Sequence, residues 1–326
     1  MIITMLHKID NTNTICVFPG QGSQYIGMGK EVFDGFTLAK TIFLEADEVL
    51  GFKLSDLMFF GSEDELRKTE NAQPALLVAS IAILRVLENL YGKKINELCK
   101  FVAGHSLGEY TALCAAGVIS FADAVRIVRR RGELMRDSCP NGSGGMVAII
   151  GLEIHKIDEL IVAVKLAESG ELVVANDNSV GQIVLSGSIA CTNKAAEIAK
   201  SYGAKMAVAL PVSGPFHSPL MLSAADKMAD VLGAVQFVKS CVPIIANVTA
   251  NVAEMSEIKS LLVQQITGSV RWRESMLFAQ ESGVVNLVEI GSKNVLCGLA
   301  KRTVPNVSCI SVEKKSEIES FGTNVA

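Results

Sequence analysis

Residues 101–117, FVAGHSLGEYTALCAAG, constrain the fold of this chain more than any other stretch. The run at 101–103 is apolar and short enough for a buried strand, a G-x-S-x-G motif occupies 104–108, and 109–116 predict a helix. This order is typical of a nucleophile elbow, a strained turn that exposes a serine. The glycines beside Ser106 would allow close backbone packing, and the helix N-terminus would stabilise an oxyanion. An ordinary glycine-rich turn is the alternative, and the flanking strand and helix favour the nucleophile.

A serine nucleophile needs a base, and the chain has only four histidines. His7 lies in a polar N-terminal run and His155 begins a polar helix, so both are expected to face water. His105 is adjacent to Ser106 on a sharp turn, where neighbouring side chains point apart. His217 lies in the loop PVSGPFHSPLM, and serine before histidine matches the chain order of α/β-hydrolase-like enzymes. We therefore favour His217 as the base, with a structural loop histidine as the alternative.

Arg131 lies at the border of the apolar face of a predicted helix. The segment 120–138 has Ser120 three residues before Asp123, which is typical of a capping box. At about 100° per residue the apolar residues of this segment share one face, which Arg131 borders. A charge there is costly unless an anion meets it. Arg131 therefore either forms an internal ion pair with an Asp or Glu, or binds a carboxylate through two parallel hydrogen bonds that lysine would not provide.

The order of predicted elements indicates an α/β fold with an insertion. Residues 141–211 follow the order β-α-β-β-α-β, which is the ferredoxin-like pattern. We therefore predict an α/β-hydrolase-like subdomain with a parallel sheet over residues 1–140 and 212–326. The inserted segment at 141–211 is predicted to be a ferredoxin-like subdomain, with a cleft between the two.

Further strands and helices are predicted on both sides of the insertion. The strand TICVFPG leads into a glycine-rich loop at 21–24, which lacks the Gly-Lys-Ser/Thr of a phosphate-binding loop. Next to a serine elbow, such a loop is better placed to offer a backbone N–H to an oxyanion. Helices are predicted over 30–60 and 71–91. Later strands are predicted for VPIIANVTA at 242–250 and NLVEIGS at 286–292.

Composition excludes several classes of protein. With 326 residues, 49% of them apolar and 20% charged, the chain is typical of a globular protein. A net charge of −4 without an arginine-rich stripe disfavours nucleic acid as a partner. We find no apolar run near 18 residues and no signal peptide, so no membrane partner is expected. The eight cysteines include no C-x-x-C pair, which predicts reduced core thiols, a cytoplasmic location and no zinc site.

Over nearly its whole length the chain resembles the malonyl-CoA:acyl-carrier-protein transacylases of bacterial type II fatty-acid synthesis. GHSLG alone is not specific, whereas the combination of matching segments is. These segments are FPGQGSQ (18–24), QPALL (73–77), GHSLGEY (104–110), RRGELM (130–135), PVSGPFHSPLM (211–221), NVTA (247–250), VRW (270–272) and EIG (289–291).

The resemblance implies roles for the residues of the predicted catalytic pair. Ser106 would be the acylated nucleophile and His217 its partner. In the family a backbone carbonyl rather than an acid orients the histidine, and the matching position here is Gln265. This agrees with the lack of a well-placed aspartate for a triad in the sequence.

The resemblance also implies how the substrate would be held. Backbone N–H groups of Gln21 and Leu107 would form the oxyanion hole, and Arg131 would hold the malonyl carboxylate. Phe216, which precedes His217, resembles the malonyl-selective form of this motif in polyketide relatives. Many bacterial members have a small residue there, so the inference of a malonyl substrate rests mainly on Arg131.

The implied activity is transfer of a malonyl group from malonyl-CoA to the phosphopantetheine thiol of acyl carrier protein through a malonyl-Ser106 ester, without a bound cofactor or metal. Because the carrier protein is acidic in this family and this chain is net negative, a local basic patch is expected. Its candidates are Arg271, Arg273, Lys293, Lys301 and Arg302. A merely solvated charged face is the alternative. The competing functions are a serine esterase or thioesterase and a catalytically silent acyl-binding protein.

Overall fold

A five-stranded parallel sheet and a separate four-stranded antiparallel sheet organise the protein. The computed structural model describes residues 8–140, 142–212 and 214–325, so His7 lies outside the described residues. In chain order the strands are β1 (Thr14–Phe18), β2 (Phe101–Gly104), β3 (Gly144–Ile150), β4 (Leu172–Ser179), β5 (Gln182–Ser188), β6 (Met206–Ala209), β7 (Ile244–Ile245), β8 (Asn286–Ile290) and β9 (Ser308–Val312). The helices are α1 (Lys30–Gly35), α2 (Thr37–Leu50), α3 (Leu54–Phe60), α4 (Glu63–Arg67), α5 (Thr69–Tyr91), α6 (Ile95–Leu98), α7 (Leu107–Ala115), α8 (Phe121–Asp137), α9 (Ile154–Ala167), α10 (Ile189–Ile198), α11 (Leu222–Gly233), α12 (Ile258–Thr267), α13 (Trp272–Glu281), α14 (Val295–Thr303) and α15 (Lys315–Ser320).

β1 is the central strand of the parallel sheet, whose order is β7-β2-β1-β8-β9. Every neighbouring pair is parallel, and Phe18 at the end of β1 lies opposite Gly104 at the end of β2. β1, β2 and β8 are buried along their whole length because apolar cores lie on both faces of the sheet. The loops that follow β1 and β2 therefore meet at the carboxyl end of the parallel strands, the usual place for a site in an α/β fold.

Two expectations for the parallel sheet need correction. The strand predicted over 242–250 is confined to Ile244–Ile245. β9, in contrast, has no counterpart among the predicted strands. It is an edge strand in which only Val312 is fully buried, so its sequence lacks the continuous apolar run that identifies a central strand.

α5 is a long core helix beside the parallel sheet, with every residue from Thr69 to Leu84 buried. By length and composition it is apolar enough to cross a membrane, so the expectation that no apolar run approaches that length is wrong. However, 78% of its apolar window is buried inside the protein, which is typical of a core helix. The helix predicted over 30–60 is divided into α1, α2 and α3, and Gly51, at φ 72°, ends α2.

The antiparallel sheet has the order β4-β5-β3-β6, and its elements follow the β-α-β-β-α-β order expected from the sequence. Val147 and Ile149 of β3 pack with α9 and α10 in a core of their own. Met146 and Ala148, on the opposite face of the same strand, belong to the main core. This alternation is the two-residue period of a strand, and it places one face of the small sheet against the rest of the protein.

Backbone hydrogen bonds and an ion pair fasten β4 beside the segment that precedes α13. The N–H of Asp177 donates to the carbonyl of Val270 at 3.0 Å, and the N–H of Val270 donates to the carbonyl of Ala175 at 2.8 Å. Arg273 forms an ion pair with the carboxylate of Asp177 at 2.8 Å. These contacts hold the small sheet next to the loops at the carboxyl end of the parallel strands.

Candidate active site

The elbow at Ser106 has the geometry of a strained turn. β2 ends at Gly104, α7 begins at Leu107, and Ser106 between them has φ 51° and ψ −104°. A Cβ on Gly104 would lie 1.9 Å from the Gly108 carbonyl, and a Cβ on Gly108 would lie 2.1 Å from the Phe18 oxygen. Only glycine fits at either position, because both contacts are with backbone. The strain at Ser106 is of the kind that surrounding structure maintains at functional sites.

Hydrogen bonds from distant parts of the chain fix the elbow. The N–H of Ser106 donates to Oδ1 of Asn247 at 2.8 Å, and Nδ2 of Asn247 donates to the carbonyl of Gly104 at 2.7 Å. Nε2 of Gln265 donates to the carbonyl of Ser106 at 2.9 Å. Sequence reasoning missed the role of Asn247, and its presence in the NVTA segment is the only signal that could have revealed it.

His217 lies within proton-transfer distance of Ser106. Its Nε2 is 2.7 Å from Oγ of Ser106, and its Nδ1 is 2.8 Å from the backbone carbonyl of Gln265. Because a carbonyl only accepts hydrogen bonds, Nδ1 carries the proton and Nε2 is free to accept one from the serine. His217 is buried and has φ 58°, so it too occupies a strained backbone conformation.

Burial and the nearby charge of Arg131 lower the pKa of His217 to about 3. The imidazole is therefore neutral over the physiological range, as a base must be. The side chains of the other described histidines form no hydrogen bond with Ser106 in the described ranges. Nε2 of His105 is 2.7 Å from Oδ1 of Asn178, and the side chain of His155 is 62% exposed.

Arg131 is buried, with 1% of its surface exposed, and its described hydrogen-bond partners are all neutral. Nη1 donates to Oε1 of Gln73 at 2.7 Å, whereas Nη2 donates to Oε1 of Gln265 at 2.9 Å and to Oγ of Ser106 at 3.1 Å. Nε has no partner within the described ranges, and no carboxylate there forms an ion pair with this guanidinium. Burial lowers the pKa of Arg131. The internal ion pair considered as an alternative for Arg131 is therefore not seen in the described part of the chain.

Glu109 lies beneath the elbow and was not among the residues expected at the site. Its Oε2 accepts hydrogen bonds from Nε2 of Gln265 at 2.7 Å and from the N–H of Asn247 at 3.2 Å. Burial raises the pKa of Glu109 to about 7, against the opposing effect of these hydrogen bonds. Glu109 therefore titrates close to neutral pH while touching the residues that hold Ser106.

A cavity of about 470 Å³ opens onto these residues. Ser106, His217, Arg131 and the segments containing Gln21 and Leu107 line it, and its apolar wall consists of Ile26, Leu66, Met135, Met146, Leu210, Val212 and Phe216. The N–H of Leu107 belongs to the first turn of α7, where backbone donors have no acceptor within the helix. Serine, imidazole, a helix N-terminus and a guanidinium thus face one space, which suits attack on a carbonyl compound that carries an anionic group.

Two of the five residues expected to form a basic patch are already paired with carboxylates of the protein. Arg271 forms an ion pair with Glu274, and Arg273 forms one with Asp177. Lys293, Lys301 and Arg302 are exposed and form no ion pair with any residue that the structure describes. Of these three, Lys293 also lines the cavity. The first two arginines are therefore occupied within the protein, and three candidates remain for an acidic partner.

Comparisons with known proteins agree over most of the chain. Residues 15–321 match a family model described as an acyl transferase domain. The chain is 47% identical over 305 residues to the malonyl CoA-acyl carrier protein transacylase of Bacillus subtilis strain 168, covering 93% of this chain and 94% of that relative. An acyl-carrier-protein S-malonyltransferase structure from Bartonella henselae has a TM-score of 0.92 at 46% identity, covering 95% and 98% of the two chains. A structure of a type II PKS acyl-carrier protein in complex with its malonyl-transacylase has a TM-score of 0.91 at 42% identity, covering 96% and 99%.

Proposed function

The chain belongs to the acyl transferase family and, within it, to the malonyl CoA-acyl carrier protein transacylases, and from that premise we propose that it transfers a malonyl group from malonyl-CoA to the phosphopantetheine thiol of an acyl carrier protein. The observation that carries the proposal is the buried guanidinium of Arg131, which forms no ion pair within the described residues and lies 3.1 Å from the hydroxyl of Ser106. A site for a neutral acyl group needs no such charge, whereas a malonyl group brings a carboxylate to meet it.

In the first half of the reaction, Nε2 of His217 accepts the proton of Ser106 as Oγ attacks the thioester carbonyl. The N–H groups of Gln21 and Leu107 receive the oxyanion of the tetrahedral intermediate. The intermediate then collapses, the C–S bond breaks, and His217 returns its proton to the departing CoA thiol. A malonyl-Ser106 ester and free CoA are the products of this half.

In the second half the phosphopantetheine thiol of the carrier protein attacks the malonyl-Ser106 ester. His217 accepts the thiol proton as sulfur attacks the ester carbonyl, and it returns that proton to Oγ of Ser106 as the C–O bond breaks. The two halves share one site, so ping-pong kinetics are expected. No metal or cofactor takes part in either half.

Arg131 serves both recognition and base strength in this proposal. Its charge is one of the causes that lower the pKa of His217. A bound malonyl carboxylate would neutralise that charge and so make His217 a stronger base when the correct substrate is present. The apolar wall of the cavity would limit the access of water to the ester.

We also propose a division of the fold into two subdomains and a cytoplasmic location for the protein. The order β4-β5-β3-β6 with two helices packed in one core supports a ferredoxin-like subdomain over 141–211. The elbow after β2 supports an α/β-hydrolase-like subdomain over 1–140 and 212–326. Five of the eight cysteines are buried and all are free, in keeping with the cytoplasmic location we propose.

Lys293, Lys301 and Arg302 are proposed to meet the acidic carrier protein. The attraction between exposed charges weakens as salt is added. We therefore expect KM for the carrier protein to rise with ionic strength, and a KM independent of salt would contradict this docking surface.

The decisive experiment is to incubate the protein with malonyl-CoA and measure its intact mass, with Ser106→Ala as the control. A malonyl adduct on the wild type and none on Ser106→Ala supports the transferase. Turnover of malonyl-CoA without an adduct would indicate an esterase, and no reaction would indicate a silent binding protein. Arg131→Ala should lower kcat/KM for malonyl-CoA by about 100-fold or more, as removal of a buried charge-assisted contact does, and leave acetyl-CoA use unchanged or improved.

A further inference from the structure

Thr69, the first residue of α5, joins the glycine-rich loop at 21–24, which we call the oxyanion loop, to Arg131 through a continuous series of hydrogen bonds. Its hydroxyl donates to Oε1 of Gln21 at 3.0 Å and accepts from Nε2 of Gln73 at 2.8 Å. Oε1 of Gln73 then accepts from Nη1 of Arg131 at 2.7 Å. We refer to Gln21, Thr69, Gln73 and Arg131 as the relay.

The direction of these hydrogen bonds sets which end of the Gln73 amide faces Arg131. A guanidinium only donates, so the amide must present its oxygen and turn its NH₂ away. Thr69 supplies the acceptor for that NH₂, and it can do so because its own proton is donated to Gln21. Without the hydroxyl, the buried NH₂ of Gln73 would lose its oxygen acceptor and keep only Sδ of Met135 at 3.8 Å, a weak acceptor that would hold the amide orientation less firmly.

Burial makes the relay costly to break. Thr69, Gln73 and Arg131 are each about 1% exposed, so water does not replace a lost partner without a rearrangement. The backbones also touch beside the relay. A Cβ on Gly132, which follows Arg131, would lie 2.5 Å from Cα of Glu70 and 2.8 Å from the oxygen of Thr69. This close approach of α8 to the start of α5 holds Arg131 and Thr69 at a fixed separation.

We propose that Thr69 is a positioning residue for recognition of the substrate carboxylate, acting through Gln73 on Arg131. The proposal rests on the function proposed above, because it concerns the malonyl group that Arg131 would hold. Thr69 touches no reacting atom. Its contribution is to orient the guanidinium before the substrate arrives, which spares the reorganisation that binding would otherwise require.

The test compares Thr69→Val, which removes the hydroxyl and keeps the shape, with Thr69→Ser, which keeps the hydroxyl. The rate of ester formation on Ser106 is measured by intact mass with malonyl-CoA and, separately, with acetyl-CoA. We expect Thr69→Val to lower kcat/KM for malonyl-CoA by about tenfold, the effect of losing one hydrogen bond in a buried network, and to leave acetyl-CoA within about twofold. Thr69→Ser should restore most of the malonyl rate. Thr192→Val is the matched control, since among the described residues its buried hydroxyl bonds to carbonyls of the preceding turn.

The relay also predicts non-additivity, because Thr69 has nothing to position once the guanidinium is gone. In an Arg131→Ala background, Thr69→Val should change the malonyl rate by less than about twofold. Equal losses for malonyl-CoA and acetyl-CoA would overturn the proposal and assign Thr69 to the oxyanion loop alone, and so would an unchanged malonyl rate. If Thr69→Val does not fold, Thr69→Ala gives the same comparison. A wild-type protein that forms no malonyl ester would instead refute the proposed function, so the two failures are distinguishable.

Discussion

The two sides of the cleft hold the proposed catalytic side chains in different ways. We call residues 104–108 the nucleophile wall and residues 214–218 the base wall. In both, the catalytic residue has a left-handed backbone conformation. Ser106 has φ 51° and His217 has φ 58°. Ser106 lies between β2 and α7. Gly104 contacts the backbone of Gly108, and Gly108 contacts the backbone of β1, so the turn is tightly packed on both sides of the serine. His217 lies in a loop before α11, where Oγ of Ser218 donates to the carbonyl of Pro215 at 2.6 Å and the Gln265 carbonyl orients the ring.

This difference shows that close backbone packing can restrict one side of the site, while long-range hydrogen bonds orient both sides. The steric restriction on Ser106 comes from glycines within two positions of it and from β1, whereas its backbone hydrogen bonds come from Asn247 and Gln265. The orientation of His217 depends on Gln265, which is 48 positions further along the chain. The nucleophile wall should therefore be sensitive to steric changes at its glycines, and the base wall to loss of the imidazole itself.

The largest effect is expected on the base wall, from His217→Asn. Asparagine tolerates the left-handed backbone conformation but its amide does not act as a base, so the fold should persist while the chemistry fails. We expect the rate of malonyl-Ser106 formation to fall by about 1,000-fold. The rate is followed by intact mass after mixing with malonyl-CoA, and His155→Asn, on an exposed histidine, is the control. A loss below tenfold would show that another group accepts the serine proton.

The next effect separates the two walls by stability. Gly108→Ala places a Cβ 2.1 Å from a backbone oxygen of β1, whereas at Gly214 the nearest atom would be 3.4 Å away on the ring of Phe216. We expect Gly108→Ala to lower the free energy of unfolding by about 3 kcal/mol or more, as overpacking against backbone does. Gly214→Ala should change it by less than about 0.5 kcal/mol. Urea denaturation measures both, and equal values for the two variants would remove the distinction between the walls.

The smallest effect concerns pH, to which His217 and Glu109 respond differently. His217, with a pKa of about 3, does not titrate between pH 5 and 8, whereas Glu109, with a pKa of about 7, does. Above pH 7 the ionised carboxylate accepts more strongly from Gln265 and Asn247. We expect kcat/KM for malonyl-CoA to fall about threefold as the pH is lowered through 7, and Glu109→Gln to abolish that fall. An inflection that persists in Glu109→Gln would belong to another group.

The same two groups have opposite effects on stability. The folded-state pKa of His217 is below its usual 6.5, so the unfolded chain binds the extra proton and stability falls as the pH drops from 6.5 toward 3. The folded-state pKa of Glu109 is above its usual 4.5, so the native state binds the extra proton and stability falls as the pH rises from 4.5 through 7.

The sequence predicts the Ser106 side of the site better than the His217 side. The strand, the elbow and the helix after it are encoded within 17 residues, so the elbow could be predicted, and Ser106 proposed as its nucleophile, from local pattern alone. The orienting carbonyl of Gln265 is a backbone group, which any residue supplies, and only the family resemblance pointed to it. Glu109 and Asn247 were missed because their contacts join segments 138 residues apart, and no short-range pattern records such a contact.

For the fold, prediction succeeded where burial was continuous. β1, β2 and β8 are apolar runs buried on both faces, and the alternating pattern of the small sheet gave its order of elements. It failed at the edge strand β9 and at the division of 30–60 into three helices. These features depend on tertiary packing and on single turns such as Gly51, whose signals are weaker than periodicity.

The order of the parallel sheet has a consequence for how the enzyme is made. β1 is made before the other strands of its sheet, yet it becomes the central strand, and its second edge is covered only by β8, which begins at Asn286. Synthesis also delivers the serine well before the carbonyl that aims the imidazole. In a growing chain the proposed base therefore has no orienting carbonyl until Gln265 has been added.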